Sequence, residues 1–300
     1  MKKEIGFIGL GRMGLNMATR LVEHDYRVVT VYRSEKATAA AEAIGVEVVA
    51  DYAELMNTLS PERLIWLMVP SGEVDSVLAQ IVPLVATGDT IIDGGNTFFK
   101  DTLRRYQEVN QKGINYIDCG VSGGMEGARN GASIMIGGEQ AVFDRHEEVF
   151  KALAAANGYA RVGKHGAGHF VKMTHNGIEY GMMGAIAEGF SFLKDNQAEF
   201  DLDLREVLKP YKNQSIITSK LIDWLDKAYE EGQIEAISGE VPKGETEFEM
   251  EYIASVSDVK VLKAALEQRK DTRVNPTYAG KLIAAMRNQF GGHKTIAKKE

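Results

Sequence analysis

The chain has little cysteine, no long hydrophobic run and a shortage of positive charge, and each deficit closes off a class of protein. One cysteine in 300 residues, Cys119, cannot form an internal disulfide and suits a reducing compartment, so a cytoplasmic location is expected. No stretch reaches the roughly 18 apolar residues that a membrane helix needs. The opening MKKEIGFIGLG breaks at glycines, as the start of a strand does and a signal peptide does not. Lys and Arg number 35 against 42 Asp and Glu, and the net charge of −7 argues against a broad nucleic-acid footprint. An anionic small substrate stays open, given a locally basic pocket. Internal repeats and low-complexity linkers are absent. What is there, 44% hydrophobic and 26% charged, is an ordinary globular composition with length for one large or two medium domains.

Residues 5–8, IGFI, run into GLGRMG, a helical pattern follows over 12–24, and RVVTVY stands at 27–32. Further apolar runs lie at 64–69, 90–93, 115–121 and 133–138. Because these runs are continuous rather than alternating, they predict a parallel sheet covered on both faces. From about residue 166 the pattern changes to long helical periods with no convincing strand. The expected architecture is a Rossmann-type, doubly wound α/β sheet over 1–165, followed by an all-α domain over 166–300 for substrate binding and dimerisation. GKHGAGH marks the boundary.

Gly9, Gly11 and Gly14 form G-x-G-x-x-G where a dinucleotide site requires it, between a first strand and a first helix. There the glycines let the backbone turn and approach a pyrophosphate resting on the helix N-terminus. Met13 lies in the same turn and is taken as a further cofactor contact. The second strand ends in Tyr32-Arg33-Ser34 instead of the acid that would bond a ribose 2′-hydroxyl. Arg33 can pair with a 2′-phosphate, and Ser34 can add a hydrogen bond. NADP is therefore the expected cofactor, with NAD as the alternative. No metal site is expected.

The stretch VKMTHNGIEYGMM carries Lys172, His175, Asn176, Glu179 and Tyr180 at i, i+3, i+4, i+7 and i+8, one stripe of a helix. Each residue alone has an ordinary structural reading, such as a core imidazole or a buried polar network. Five polar groups in phase on an otherwise apolar helix call for something polar opposite, because burying them unpartnered costs several kcal/mol each. Oxidation of a secondary alcohol needs a base for the hydroxyl proton, a role Lys172 can fill if its surroundings favour the neutral amine. A β-keto acid formed this way loses carbon dioxide readily, and the resulting enediol needs an acid, for which Glu179 lies two turns along. His175 and Asn176 can bond sugar hydroxyls, and Tyr180 suits an anionic end.

These residues carry a resemblance. GHFVKMTHNGIEYG resembles the signature helix of decarboxylating 6-phosphogluconate dehydrogenases, DGGNT at 93–97 their substrate-and-nicotinamide loop, and GVSGGMEGARNG at 120–131 their carboxylate loop. RNQFGGH, Arg287 to His293, resembles the C-terminal pair that closes the phosphate site. The resemblance implies that Asn96 positions substrate and nicotinamide and that Ser122, Gly123 and Gly124 hold the carboxylate. It further implies that Arg269, Arg287 and His293 join Tyr180 at the phosphate. The implied partner is 6-phosphogluconate, in a homodimer or homotetramer with shared active sites, where the tail of one subunit supplies Arg287 and His293 to the next. One segment departs from the family pattern: G-T-G-[KR]-W-T is replaced by the acidic PKGETEFEM, with Lys243 as the available cation. Two other readings stand beside this one, a non-decarboxylating β-hydroxyacid dehydrogenase of the 3-hydroxyisobutyrate type and a nucleotide sensor without turnover.

Overall fold

The computed structural model describes residues 3–298, so residues 1 and 300, the outer limits of the two expected domains, lie outside it. The chain divides into two compact units, Met1–Met173 and Thr174–Glu300. The division falls inside a helix, a few residues after the boundary expected at 165/166.

The first unit opens with β1 (Glu4–Ile8), α1 (Arg12–Glu23), β2 (Arg27–Val31), α2 (Glu35–Glu42), β3 (Glu47–Val49) and α3 (Tyr52–Thr58). It continues with β4 (Leu64–Leu67), a 3-10 turn (Ser71–Glu73), α4 (Val74–Ile81), β5 (Thr90–Asp93), α5 (Phe99–Asn110) and β6 (Asn115–Ser122). Then come α6 (Gly124–Asn130), β7 (Ala132–Gly137), α7 (Gln140–Leu153), β8 (Ala154–Gly163) and the 29-residue α8 (Ala167–Asp195), which runs on into the second unit.

The eight strands form one sheet in the order β3-β2-β1-β4-β5-β6-β7-β8. The order reverses between β1 and β4, and that crevice is where doubly wound sheets bind ligands. Strand alternation feeds two cores. Phe7, Trp66, Ile92 and Ile117 face one side, while Ile8, Ile65, Leu67 and Ile91 face the other. The sheet is thus buried on both faces, as the apolar runs predict. It is not wholly parallel: β6 and β7 pair antiparallel. Only α6 separates them, and a parallel crossover needs a dozen residues or more.

The second unit contains the remainder of α8, then α9 (Gln197–Phe200), α10 (Leu204–Lys212), α11 (Lys220–Glu230) and α12 (Gln233–Ala236). It closes with α13 (Glu247–Val256), α14 (Lys260–Asp271) and α15 (Tyr278–Gly291). Met183, Ala187 and Phe190 of α8 share a core with Ile222 and Leu225 of α11 and with Leu282, Ile283 and Met286 of α15. An isolated antiparallel bridge, Ile237 to Ala297, ties the last described residues to the segment after α12, with Ser238 N donating to Ile296 O at 2.8 Å.

Candidate active site

The turn after β1 can be built only with glycine at two of its three glycine positions. Gly9 has φ +103°, and a Cβ there would lie 2.4 Å from Met68 O. A Cβ on Gly14 would lie 2.0 Å from Gly9 O, so α1 packs against the turn itself. Gly11 differs, because a Cβ there meets nothing within 4 Å. Packing does not require glycine at that position, but close approach of a ligand backbone does. Gly11 is also the N-cap of α1, which has no side-chain cap and no acid in its first turn, so nothing local competes for an anion there. Met13 is partly buried and packs on the core.

Beside the turn lies a cavity of about 230 Å³, lined by Gly9, Thr30, Tyr32, Arg33, Thr38 and Tyr52 among others. Arg33 is exposed at its edge. Ser34 caps α2, accepting from Ala37 N at 3.3 Å. This arrangement fits NAD or NADP, with the pyrophosphate on the glycine turn and the adenosine end in the cavity.

Two further loops of the first unit follow β5 and β6. The Asp93 carboxylate, fully buried, accepts from Tyr116 OH at 3.0 Å, Thr97 Oγ1 at 3.1 Å and Gly95 N at 3.2 Å, which fixes the segment containing half-buried Asn96. Ser122 ends β6. Gly123 (φ +116°) and Gly124 (φ +60°) then make the left-handed turn into α6 that side chains resist.

The first turns of α8 are seated on β6 and β7. The buried Asp118 carboxylate accepts from Gly166 N at 2.7 Å and His169 N at 3.0 Å, capping the helix. A Cβ on Gly168 would lie 2.5 Å from Asp118 O, and one on Gly120 would lie 2.3 Å from the Cβ of Lys172. Lys172 is thus pressed against the strand that ends in the Ser122–Gly124 turn. Gly120→Ala is expected to reduce stability by about 1–3 kcal/mol through overpacking and to lower kcat, with cofactor affinity unchanged because the β1 turn is untouched. Thermal melts and steady-state kinetics check this; a wild-type kcat would detach the seat from the position of Lys172.

The stripe predicted for α8 is there. Lys172, at the end of the first unit, is half-buried, and the other four residues belong to the second. Asn176 and Tyr180 are buried, while His175 and Glu179 are partly exposed, with Nδ1 and Oε2 3.9 Å apart. The Tyr180 hydroxyl lies 3.2 Å from Thr246 Oγ1, and the Arg269 guanidinium carbon sits 3.3 Å above its ring. Arg287 Nη1 donates to Pro242 O at 2.8 Å, and its Nη2 is 2.8 Å from where a Cβ on Gly244 would stand. Both arginines are buried, and among the described residues neither forms an ion pair. Burial pulls the Arg269 pKa down to about 10 and lowers that of Arg287, with the Glu179 carboxylate opposing both shifts. Among the described residues, Arg269 Nε has no hydrogen-bond partner. A buried cation pair with a tyrosine and a threonine hydroxyl beside it has the chemistry to hold an anion.

Arg287 lies on α15, which packs into the local core through Leu282, Ile283 and Met286, and within its own chain it stands beside Gly244 and under the influence of Tyr180 and Glu179. In the tail, Ala297 is bridged to Ile237 of the same chain. His293 is exposed, its imidazole edge-on to Phe290 with centroids 5.6 Å apart. The acidic segment also reads differently in three dimensions. Glu247 turns inward to pair with Arg273, Glu249 is buried, and Glu245 and Lys243 are exposed.

Sequence reasoning missed Thr246, Asp93, Asp118, Gly120 and Gly244. Gly120 alone left a signal, a glycine inside an apolar strand, which marks close backbone approach.

Two family profiles match the chain. The NAD binding domain of 6-phosphogluconate dehydrogenase matches residues 4–166, and the 6-phosphogluconate dehydrogenase C-terminal domain matches residues 168–199. YqeC of Bacillus subtilis (strain 168), provisionally named a 6-phosphogluconate dehydrogenase, is 39% identical over 298 residues, covering 98% of this chain and 100% of its own. The NAD(+)-dependent, decarboxylating 6-phosphogluconate dehydrogenase of Haloferax volcanii is 36% identical over 301 residues, 98% of this chain and 99% of its own. The match to the decarboxylating enzyme of Klebsiella pneumoniae, 40% identical, covers 74% of this chain and 49% of that protein, about half its length. Among solved structures, Plasmodium falciparum 6-phosphogluconate dehydrogenase superposes with a TM-score of 0.79 at 29% identity, over 90% of this chain and 62% of that one. Mycobacterium tuberculosis 3-hydroxyisobutyrate dehydrogenase superposes at 0.75 and 19% identity over 96% and 100%, a likeness of fold alone. By the profile over its first unit and by relatives matched along their whole lengths, the chain belongs to the 6-phosphogluconate dehydrogenase family of oxidoreductases.

Proposed function

We propose that the protein oxidatively decarboxylates 6-phosphogluconate to ribulose 5-phosphate and carbon dioxide, with NADP as the preferred cofactor. The observation that carries this reading is the continuity of the α8 stripe with the Tyr180–Arg269–Arg287 pocket. A small hydroxyacid has no second anion to place beside those cations, which weighs against the non-decarboxylating reading. The cofactor, when bound, accepts the hydride. Lys172 takes the proton of the hydroxyl β to the carboxylate, and the Ser122–Gly124 turn holds that carboxylate until it leaves as carbon dioxide. Glu179 protonates the enediol carbon. His175, Asn176 and Asn96 hold the sugar hydroxyls, and Tyr180, Thr246, Arg269 and Arg287 hold the phosphate. The exposed apolar residues Ile178, Met182 and Phe192 along α8 support a homo-oligomer.

The test is turnover of 6-phosphogluconate with carbon dioxide and reduced cofactor measured together. Equal yields are expected. Reduced cofactor without carbon dioxide, or activity confined to 3-hydroxyisobutyrate, would move the assignment to the hydroxyacid dehydrogenases. Cofactor choice rests on Arg33. Arg33→Asp removes a charge-assisted contact worth about 1.5–3 kcal/mol for a 2′-phosphate and supplies an acceptor for a 2′-hydroxyl. The ratio of kcat/KM for NADP over NAD is expected to fall by roughly tenfold or more; an unchanged ratio refutes the role.

A further inference from the structure

The cavity beside the glycine turn contains a charge that the dinucleotide reading leaves unused. Its walls come from the end of β2 (Thr30 to Arg33), from Ala37, Thr38 and Tyr52, and from the turn after β4 with the start of α4, which contribute Glu73 and Val77. Of all the residues lining it, only Arg33 and Glu73 are charged, and they are opposite in sign. They form no ion pair with each other among the described residues, so neither neutralises its neighbour. Both fields reach the same hydroxyl. The Tyr52 phenol is raised in pKa first by burial, is raised further by Glu73 and is lowered by Arg33.

An arginine alone in such a cavity would favour a 2′-phosphate strongly. A carboxylate sharing the cavity repels the same dianion and leaves a neutral 2′-hydroxyl unaffected. We propose that Glu73 is a second cofactor-specificity determinant, opposing Arg33 at the 2′ position and holding the site to a narrow preference between NADP and NAD. The proposal rests on the cavity being the adenosine pocket. It adds a residue from a different strand end to the one that sets the preference.

The experiment is calorimetric titration of wild type, Glu73→Gln and Glu73→Asp with 2′,5′-ADP and with 5′-AMP, at low and high salt. Glu73 is exposed, so neither substitution removes buried packing. Glu73→Gln is expected to bind 2′,5′-ADP about three- to tenfold more tightly, with 5′-AMP affinity changed less than about twofold. The gain should shrink at high salt, because screening weakens charge effects and leaves shape effects alone. Glu73→Asp should keep the wild-type ratio. An unchanged affinity for 2′,5′-ADP, or an equal gain for both nucleotides, overturns the proposal. If wild type binds neither nucleotide, the adenosine assignment of the cavity falls first and the proposal falls with it.

Discussion

Lys172→Ala is expected to lower the rate of cofactor reduction with 6-phosphogluconate by about 10³-fold or more, the upper part of the range for a general base. Binding of the reduced cofactor, followed by fluorescence, should stay within about twofold of wild type, since Gly9, Gly11 and Gly14 lie on a separate turn. Lys172→Arg should not rescue the rate, because a guanidinium keeps its proton at any working pH. The lysine is held at the Cβ by Gly120 and through the helix cap by Asp118, so its loss removes a group in fixed position. Cofactor reduction at near wild-type rate in the alanine variant would assign the proton to another residue.

The second large effect falls on affinity. Arg287→Met keeps approximate volume and removes a cation that the fold buries without a carboxylate partner. Its KM for 6-phosphogluconate is expected to rise by roughly 10- to 100-fold, the equivalent of one charge-assisted phosphate contact, with kcat changed far less. The melting temperature should not fall, because exchanging a buried charge for an apolar side chain is often neutral or stabilising. If Arg287 serves the site of its own chain, subunit exchange gives a sharper test. After subunit exchange between Lys172→Ala and Arg287→Met proteins, verified by mass, every site still carries one defect, and at substrate near the wild-type KM the mixture is expected to show no more activity than its Arg287→Met sites supply. Recovery in the mixture would mean that this arginine serves a neighbouring subunit after all.

Legibility followed the range of the interactions. Strands β1, β4, β5 and β6 announce themselves because both faces are buried and apolar residues occupy consecutive positions along them. β3 is three residues long, and β8, AAANGYARVG, is a mostly exposed edge strand rich in Ala and Gly; neither carries that pattern. The α8 stripe was legible because one helix supplies all five residues in phase. Its partners were not. Thr246 meets Tyr180 across 66 residues, and Asp118 caps α8 across 51, separations that no local pattern encodes. The acidity of PKGETEFEM misled for a related reason: charge counts say nothing of direction, and Glu247 and Glu249 turn into the interior. The resemblance assigns Arg287 to a shared site, and its place beside Gly244 in its own chain, 43 positions away in sequence, is likewise one that no local pattern encodes.

The bridge between Ile237 and Ala297 turns the intervening stretch into a closed cassette. Gly244, Thr246, Arg269 and Arg287 all lie within it, whereas Lys172, His175, Asn176 and Glu179 lie outside. On the proposed roles, the reaction chemistry and most of the recognition of the substrate's far end, Tyr180 of α8 excepted, are written in separable segments of the chain. Mutations can accumulate between the two pinned ends, altering which anion is accepted, while the oxidation step passes unaltered from ancestor to descendant. Within the lineage of this chain, divergence in the cassette should sort by the tail of the substrate, and constancy in α8 by the bond that is broken.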